Sequence, residues 1–183
     1  IIGFGRIGSR VAEVSAQAFQ MKVLVHDPYL PTDFTDSRDV TRASLDELLS
    51  QADFVTLHVP LTSDTRHMLN SVRIGSMKRG SFLINAARGG LVDTEALANA
   101  LMNYRLAGAA LDVLEDEPPK QDNPLLGLEN VLITPHSAAL TEEAMSRMGM
   151  TAAEDIVRIL RGERAKNVAN RSIKENLKPQ RSS

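Results

Sequence analysis

Ile1-Ile2-Gly3-Phe4-Gly5-Arg6-Ile7-Gly8-Ser9-Arg10 is the stretch from which the rest of the chain is read. Two β-branched apolar residues run into a G-x-G-x-x-G turn. A helical period follows, with Ile7, Val11, Val14 and Ala18 on one face. Strand, glycine turn and helix in that order make a cradle for a phosphate group. Gly3 permits the tight turn, Gly5 lets backbone approach a pyrophosphate, and Gly8 lets helix and strand pack closely. The N–H groups of the helix's first turn have no intrahelical partner and point at the anion.

Glycine-rich turns are common, so the motif needs an acidic residue about 20 positions on, at the end of a second strand. Met21-Lys22-Val23-Leu24-Val25-His26-Asp27 supplies it. Asp27 is suited to accept hydrogen bonds from adenosine ribose hydroxyls and to repel a 2′-phosphate. The cofactor expected is therefore NAD and not NADP.

The chain has 183 residues, enough for one domain with a good core plus an appendage. Hydrophobic content of 43% and charged content of 24% are ordinary for a globular protein. A formal net charge of -2 leaves no footprint for nucleic acid or an anionic membrane, and no apolar run approaches a membrane span of ~18 residues. With no cysteine there are no disulfides, no thiolate metal sites and no cysteine nucleophile, which fits a cytoplasmic protein. The histidines form no metal-ligand spacing, and no metal is expected; His67 reads as solvent-facing. Only Ile1 and Ile2 precede the first glycine, whereas a strand has ~5–6 residues. The expectation is a fragment whose N-terminal portion, with any targeting signal, is missing.

Six strand-like runs alternate with helix-length segments: Ile1-Ile2, 22–26, 54–58, 81–85, 107–111 and 131–134. Several are short and apolar on both faces, as parallel strands between helix layers are. The fold class expected is α/β, a doubly wound parallel sheet of the Rossmann type. Ser44-Leu45-Asp46-Glu47 is a capping box opening a helix that ends near Ala52. Residues 27–41, with two prolines and no period, read as a surface loop. Residues 71–77 form a short helix closed by Gly80, and Asp93 or Thr94 caps the next. The last and longest helix runs from about Thr141 to Leu160 with an apolar row of Ala144, Met148, Ala152, Ile156 and Leu160, and stops at Gly162. Beyond it the pattern fades, leaving Val168-Ala169 and Ile173 as the apolar residues of a tail that frays or docks elsewhere.

In such sheets ligands bind beyond the carboxyl ends of the strands. The fourth run leads into Asn85-Ala86-Ala87-Arg88-Gly89-Gly90, the fifth into Asp112 and Glu115-Asp116-Glu117, the sixth into Thr134-Pro135-His136. If these strands are parallel neighbours, Arg88, Asp112, Glu117 and His136 share a rim with the glycine turn. Arg88 offers a planar fork for a carboxylate. Ala86 and Ala87 leave room beside it for a flat ring. His136 can exchange a proton near neutral pH, and a carboxylate such as Glu117 against its ring would favour the imidazolium. Asp112 could hold a nicotinamide carboxamide, and His58 could line the cofactor cleft. Each residue alone has a structural explanation; the set on one rim points to hydride chemistry on a carboxylate-bearing substrate.

These residues resemble the D-isomer-specific 2-hydroxyacid dehydrogenases. The matching segments are Gly3-Phe4-Gly5-Arg6-Ile7-Gly8, His26-Asp27-Pro28, His58-Val59-Pro60-Leu61-Thr62 with Thr65, Asn85 to Asp93, Gly108 to Val113, Glu117-Pro118, and Asn130-Val131 with Thr134-Pro135-His136, in family order over about residues 1–162. The resemblance implies an NAD-dependent oxidoreductase interconverting a 2-oxo acid and a D-2-hydroxy acid. Arg88 would bind substrate carboxylate and carbonyl, His136 would be the acid/base, and Glu117 would tune it. Arg6 and Ile7 would meet the pyrophosphate, Asp27 the ribose, Asp112 the nicotinamide, and Val59, Pro60 and Thr65 the adenine or nicotinamide side. Residues 1–162 would be the NAD-binding domain, and 163–183 the C-terminal return of a largely absent substrate domain, so the fragment alone would bind NAD without turnover. The family is usually homodimeric. Glu117 speaks against the formate dehydrogenase branch, which carries Gln there. The alternative within the resemblance is a non-enzymatic NAD-sensing corepressor, which keeps the same Arg, Glu and His.

Overall fold

The computed structural model describes residues 1–30, 34 and 39–169. Helix α1 (Arg6–Phe19) follows the glycine turn, then β1 (Val23–Val25), β2 (Val40–Arg42), α2 (Leu45–Gln51), β3 (Phe54–Leu57), α3 (Ser71–Ser76), β4 (Phe82–Asn85), a 3-10 turn (Gly89–Leu91), α4 (Thr94–Met102), β5 (Gly108–Leu111), β6 (Val131–Ile133) and α5 (Glu142–Leu160). Two compact units divide it, Ile1–Ser137 and Ala138–Ser183.

In the first unit β1 pairs with β2, and β3, β4, β5 and β6 pair in that order, all parallel. Ile2 bridges the two sets through parallel contacts to His26 and Leu57. The order across the sheet is thus β2, β1, Ile2, β3, β4, β5, β6. The chain winds outward from Ile2 on one side, then crosses back and winds outward on the other. That reversal defines a doubly wound fold and puts its ligand crevice beside Ile2. The buried core is aliphatic, with Leu48, Leu49, Val55, Leu57, Leu83, Leu97 and Leu111 in one cluster and Ile1, Ala12, Val23 and Val25 in a smaller one.

Two expectations are corrected. Residues 27–41 are not all loop, because Val40 and Thr41 belong to β2, registered against Val23 and Leu24. The strand has three residues, half-buried or exposed, too short for any alternation to be read from sequence. Helix α1 is also rotated from its expected face. Gly8 and Ala12 are buried, whereas Ile7 is 68% exposed, and Val14 and Ala18 face outward as well. The contact at Gly8 explains the rotation: a Cβ there would lie 2.0 Å from the Gly3 carbonyl oxygen. Backbone meets backbone at that point, so Gly8 and Ala12 turn inward, and of the expected face Val11 alone packs, half-buried, on the core. Gly8→Ala is expected to cost about 3 kcal/mol and to lower Tm by roughly 6–12 °C, with weakened NADH binding. Thermal melts with and without NADH check this.

The remaining helices start as their sequences dictate. Ser44, Asn70, Asp93 and Thr141 each accept a hydrogen bond from the backbone N–H three residues on. Helix α3 ends at Ser76, with Met77 as its C-cap. In the second unit, Met148, Ile156 and Leu160 of the expected apolar row are exposed. Buried Asp155 accepts the N–H groups of Lys166 and Asn167 at 2.7 and 2.9 Å, which folds residues 163–167 back onto α5. Ile173 lies outside the described residues.

Candidate functional site

The glycine turn is open where an anion would need it. Gly3 has φ +93°, and a Cβ there would fall 2.6 Å from the His58 carbonyl oxygen. Around the Cβ position of Gly5 nothing lies within 4 Å, and no side chain caps α1. Among the described residues, no side chain therefore caps the N–H groups that begin α1, those of Arg6, Ile7 and Gly8, the arrangement in which a helix start receives an anion. Asp27, at the end of β1, accepts the Phe4 N–H at 2.7 Å and the Tyr29 N–H at 2.8 Å. Its carboxylate is fixed against the glycine turn, within the crevice that the strand order defines.

On the other flank, His58 follows β3 half-buried, with Nε2 3.1 Å from the Thr56 hydroxyl. Burial holds its imidazole below the ordinary histidine value. The Thr65 hydroxyl donates to the Pro60 carbonyl at 2.7 Å and accepts the Thr62 N–H at 2.8 Å. That loop is closed on itself by Thr65; Val59 is half-buried and packs on the core.

The register Asn85, Leu111, Ile133 puts the ends of β4, β5 and β6 level. Neighbouring strands lie ~4.8 Å apart, so the outer two begin their loops roughly 10 Å from each other. Asn85 is buried at 1% exposure and clamps its own loop. Its Oδ1 accepts the Ala87 N–H at 3.0 Å, and its Nδ2 donates to the Arg88 carbonyl at 2.9 Å. Arg88 is exposed, with Nη1 donating to the Ala87 carbonyl at 2.6 Å. A Cβ on Gly89 would lie 1.9 Å from the Leu114 carbonyl oxygen, so the arginine loop touches the loop after β5 through backbone.

From there the contacts run on without a gap. The Leu114 N–H donates to Glu117 Oε1 at 3.0 Å, and Glu117 Oε2 stands 2.8 Å from His136 Nδ1. A carboxylate only accepts, so Nδ1 carries the hydrogen and Nε2 is the nitrogen left to exchange a proton. Asp112, 8% exposed, accepts the Thr134 hydroxyl at 2.5 Å and the Ser137 N–H at 2.8 Å, on either side of His136. The structure thus brings Arg88, Asp112, Glu117 and His136 to one rim, as expected.

Sequence reasoning missed two features. Asn85 ends an apolar strand (Phe82-Leu83-Ile84-Asn85), and a polar side chain at a buried position was the available signal. His67 was expected in solvent, but its Nε2 lies 2.5 Å from Glu115 Oε1, and the Thr94 hydroxyl donates to the other oxygen at 2.9 Å. Partners 48 and 21 residues apart leave no local pattern.

Both glutamates hold their protons weakly. For Glu115 burial alone would raise the carboxyl, but hydrogen bonds from His67 and Thr94 bring it below its ordinary value of 4.5. Glu117 is also lowered, first by His136 and then by the Leu114 N–H. A depressed folded-state pKa contributes stability that is fully present above the unfolded value and is lost as pH falls through the folded value. Tm should accordingly fall on acidification below about pH 4.5, and Glu117→Gln should flatten that limb. Melts across pH 3–7 test the point; an unchanged limb in Glu117→Gln would contradict it.

Residues 1–138 match the family described as "D-isomer specific 2-hydroxyacid dehydrogenase, NAD binding domain". The chain belongs to this family. Among relatives of this NAD-binding domain, D-3-phosphoglycerate dehydrogenase of Methanocaldococcus jannaschii is 49% identical over 171 residues, 93% of this chain and 32% of that protein. Glyoxylate reductase of Korarchaeum cryptofilum is 43% identical over 173 residues, 94% of this chain and 52% of its own length. The chain therefore spans about half of these curated relatives or less. The NAD-complexed D-isomer specific 2-hydroxyacid dehydrogenase of Lactobacillus delbrueckii ssp. bulgaricus superposes with a TM-score of 0.83 at 37% identity, covering 92% of this chain and 55% of that one. No described helix is long and apolar enough to cross a membrane, and no group of His, Asp or Glu among the described residues could hold a metal.

Proposed function

We propose that the full-length protein is an NAD-dependent oxidoreductase interconverting a 2-oxo acid and a D-2-hydroxy acid. The reading is carried by the unbroken run of contacts from the Arg88 loop through Leu114 and Glu117 to His136. NAD, when bound, carries the hydride exchanged with the substrate carbon. Gly3, Gly5, Arg6, Ile7 and Gly8 hold the pyrophosphate, Asp27 the ribose, and His58, Val59, Pro60, Thr65, Ala86, Ala87 and Asp112 line the rest of the cofactor's crevice. Arg88 grips the substrate carboxylate with its fork and draws electron density from the adjacent carbonyl. His136 gives its Nε2 proton to the carbonyl oxygen as that oxygen becomes a hydroxyl, and takes one back in the reverse direction. Glu117 keeps the ring turned so that Nε2 faces the substrate.

The test is a panel of 2-oxo acids (glyoxylate, hydroxypyruvate, pyruvate and branched-chain) with NADH and the full-length protein. Loss of NADH absorbance with at least one of them is expected. Tight NADH binding without turnover of any member would overturn the reading.

Asp27 sets the choice between nicotinamide cofactors. Asp27→Asn keeps an acceptor for the Phe4 N–H and removes the charge that repels a 2′-phosphate. The preference for NADH over NADPH should shrink about tenfold or more, which is about 1.4 kcal/mol. Paired Kd titrations with the two cofactors measure it.

A further inference from the structure

His136 has a backbone that few residues adopt. Its φ is +53°, in the left-handed region that disfavours any side chain with a Cβ. Such a conformation persists only where the surroundings over-determine it. Here one buried carboxylate oxygen does so. Asp112 Oδ1 takes the Thr134 hydroxyl, two residues before His136, and the Ser137 N–H, one residue after. The Thr134 N–H is tied to the Leu111 carbonyl at 3.0 Å, and the His136 N–H to the Thr134 carbonyl at 3.0 Å. The bend that carries the imidazole is therefore held on both sides by the end of β5. One of these holds is a side chain, and it is exposed, with no packing role in the core.

We propose that Thr134, acting through Asp112, is a positioning residue for the His136 imidazole. The proposal rests on the functional reading given above. A buried carboxylate must have donors, and the two it takes from this loop bracket the strained residue. Without the hydroxyl, that side of the bracket keeps the Thr134 N–H bond to the Leu111 carbonyl but loses its tie to the Asp112 carboxylate. His136 can then relax toward negative φ, and the ring leaves the position that Glu117 and the substrate require. On the functional reading above the same carboxylate also lines the nicotinamide crevice, so the loop that holds the acid is referenced to the wall that holds the cofactor.

The experiment compares Thr134→Val and Thr134→Ser in the full-length protein. Valine keeps the shape and loses the donor; serine keeps the donor. Thr134→Val should lose roughly 10–100-fold in kcat, the scale of a displacement of about 1 Å, while the Kd for NADH stays within about twofold. Thr134→Ser should recover most of that loss. The second readout is the ¹⁵N–¹H signal of the His136 Nδ1–H bonded to Glu117. It should survive in Thr134→Ser and broaden or vanish in Thr134→Val. A valine variant with wild-type kcat and an intact imidazole signal would overturn the proposal, as would a serine variant no better than valine. If the wild type turns over no 2-oxo acid, the functional reading fails, and the imidazole signal still decides whether Thr134 positions the ring.

Discussion

Arg88→Ala in the full-length protein should lower kcat/KM for its 2-oxo acid roughly 10³-fold, a loss of about 4 kcal/mol, with the Kd for NADH almost unchanged. The expectation follows from what the side chain touches. Among the described residues its guanidinium makes one hydrogen bond, to the neighbouring Ala87 carbonyl, and the side chain is exposed. Removing it creates no cavity and breaks no core contact, so the loss should fall on substrate and not on folding. Arg88→Lys should recover little, because an ammonium supplies charge without the two parallel donors that match a carboxylate. Stopped-flow and steady-state kinetics beside fluorescence titration of NADH separate the two effects. An Arg88→Ala variant with wild-type kcat/KM would remove the arginine from the chemistry.

His136→Asn should cost roughly 10²–10⁴ in kcat, the range over which a positioned acid or base contributes. Asparagine can still donate to Glu117 but exchanges no proton. The pH dependence of kcat should then lose the limb belonging to the imidazole, while NADH binding persists. Glu117→Gln should fall between this variant and wild type, because a neutral amide still has an oxygen to accept from Nδ1. A pH profile of the same shape in His136→Asn would mean that another group carries the proton.

Much of this site could be read before any coordinates, for steric reasons. Gly3 and Gly8 are dictated by backbone contacts that no side chain can share, and Asp27 follows the unbroken, mostly buried apolar run Val23-Leu24-Val25. Arg88 and His136 stand three residues beyond the ends of β4 and β6, Glu117 in the loop that follows β5, and parallel pairing puts those ends at one edge. The parts that were not legible depend on distant partners. Thr134 reaches Asp112 across 22 residues, while Asn85, whose partners are two and three residues on, shows only as a polar side chain ending an apolar strand. His67 finds Glu115 across 48 residues. The rotation of α1 was hidden because apolar periodicity favours large residues, whereas the contact between Gly8 and Gly3 admits only small ones. Strand β2 was hidden because three residues at a sheet edge carry no period.

One structure tests the convergence of these loops most directly: the full-length protein crystallised with NADH and oxamate, an unreactive mimic of a 2-oxo acid. The expected result is a dinucleotide with its diphosphate at the amino end of α1. The oxamate carboxylate should sit on the Arg88 guanidinium, and His136 Nε2 should lie within hydrogen-bonding distance of the oxamate carbonyl oxygen. Oxamate bound away from Arg88, or an imidazole turned from the carbonyl while NADH occupies the crevice, would contradict it.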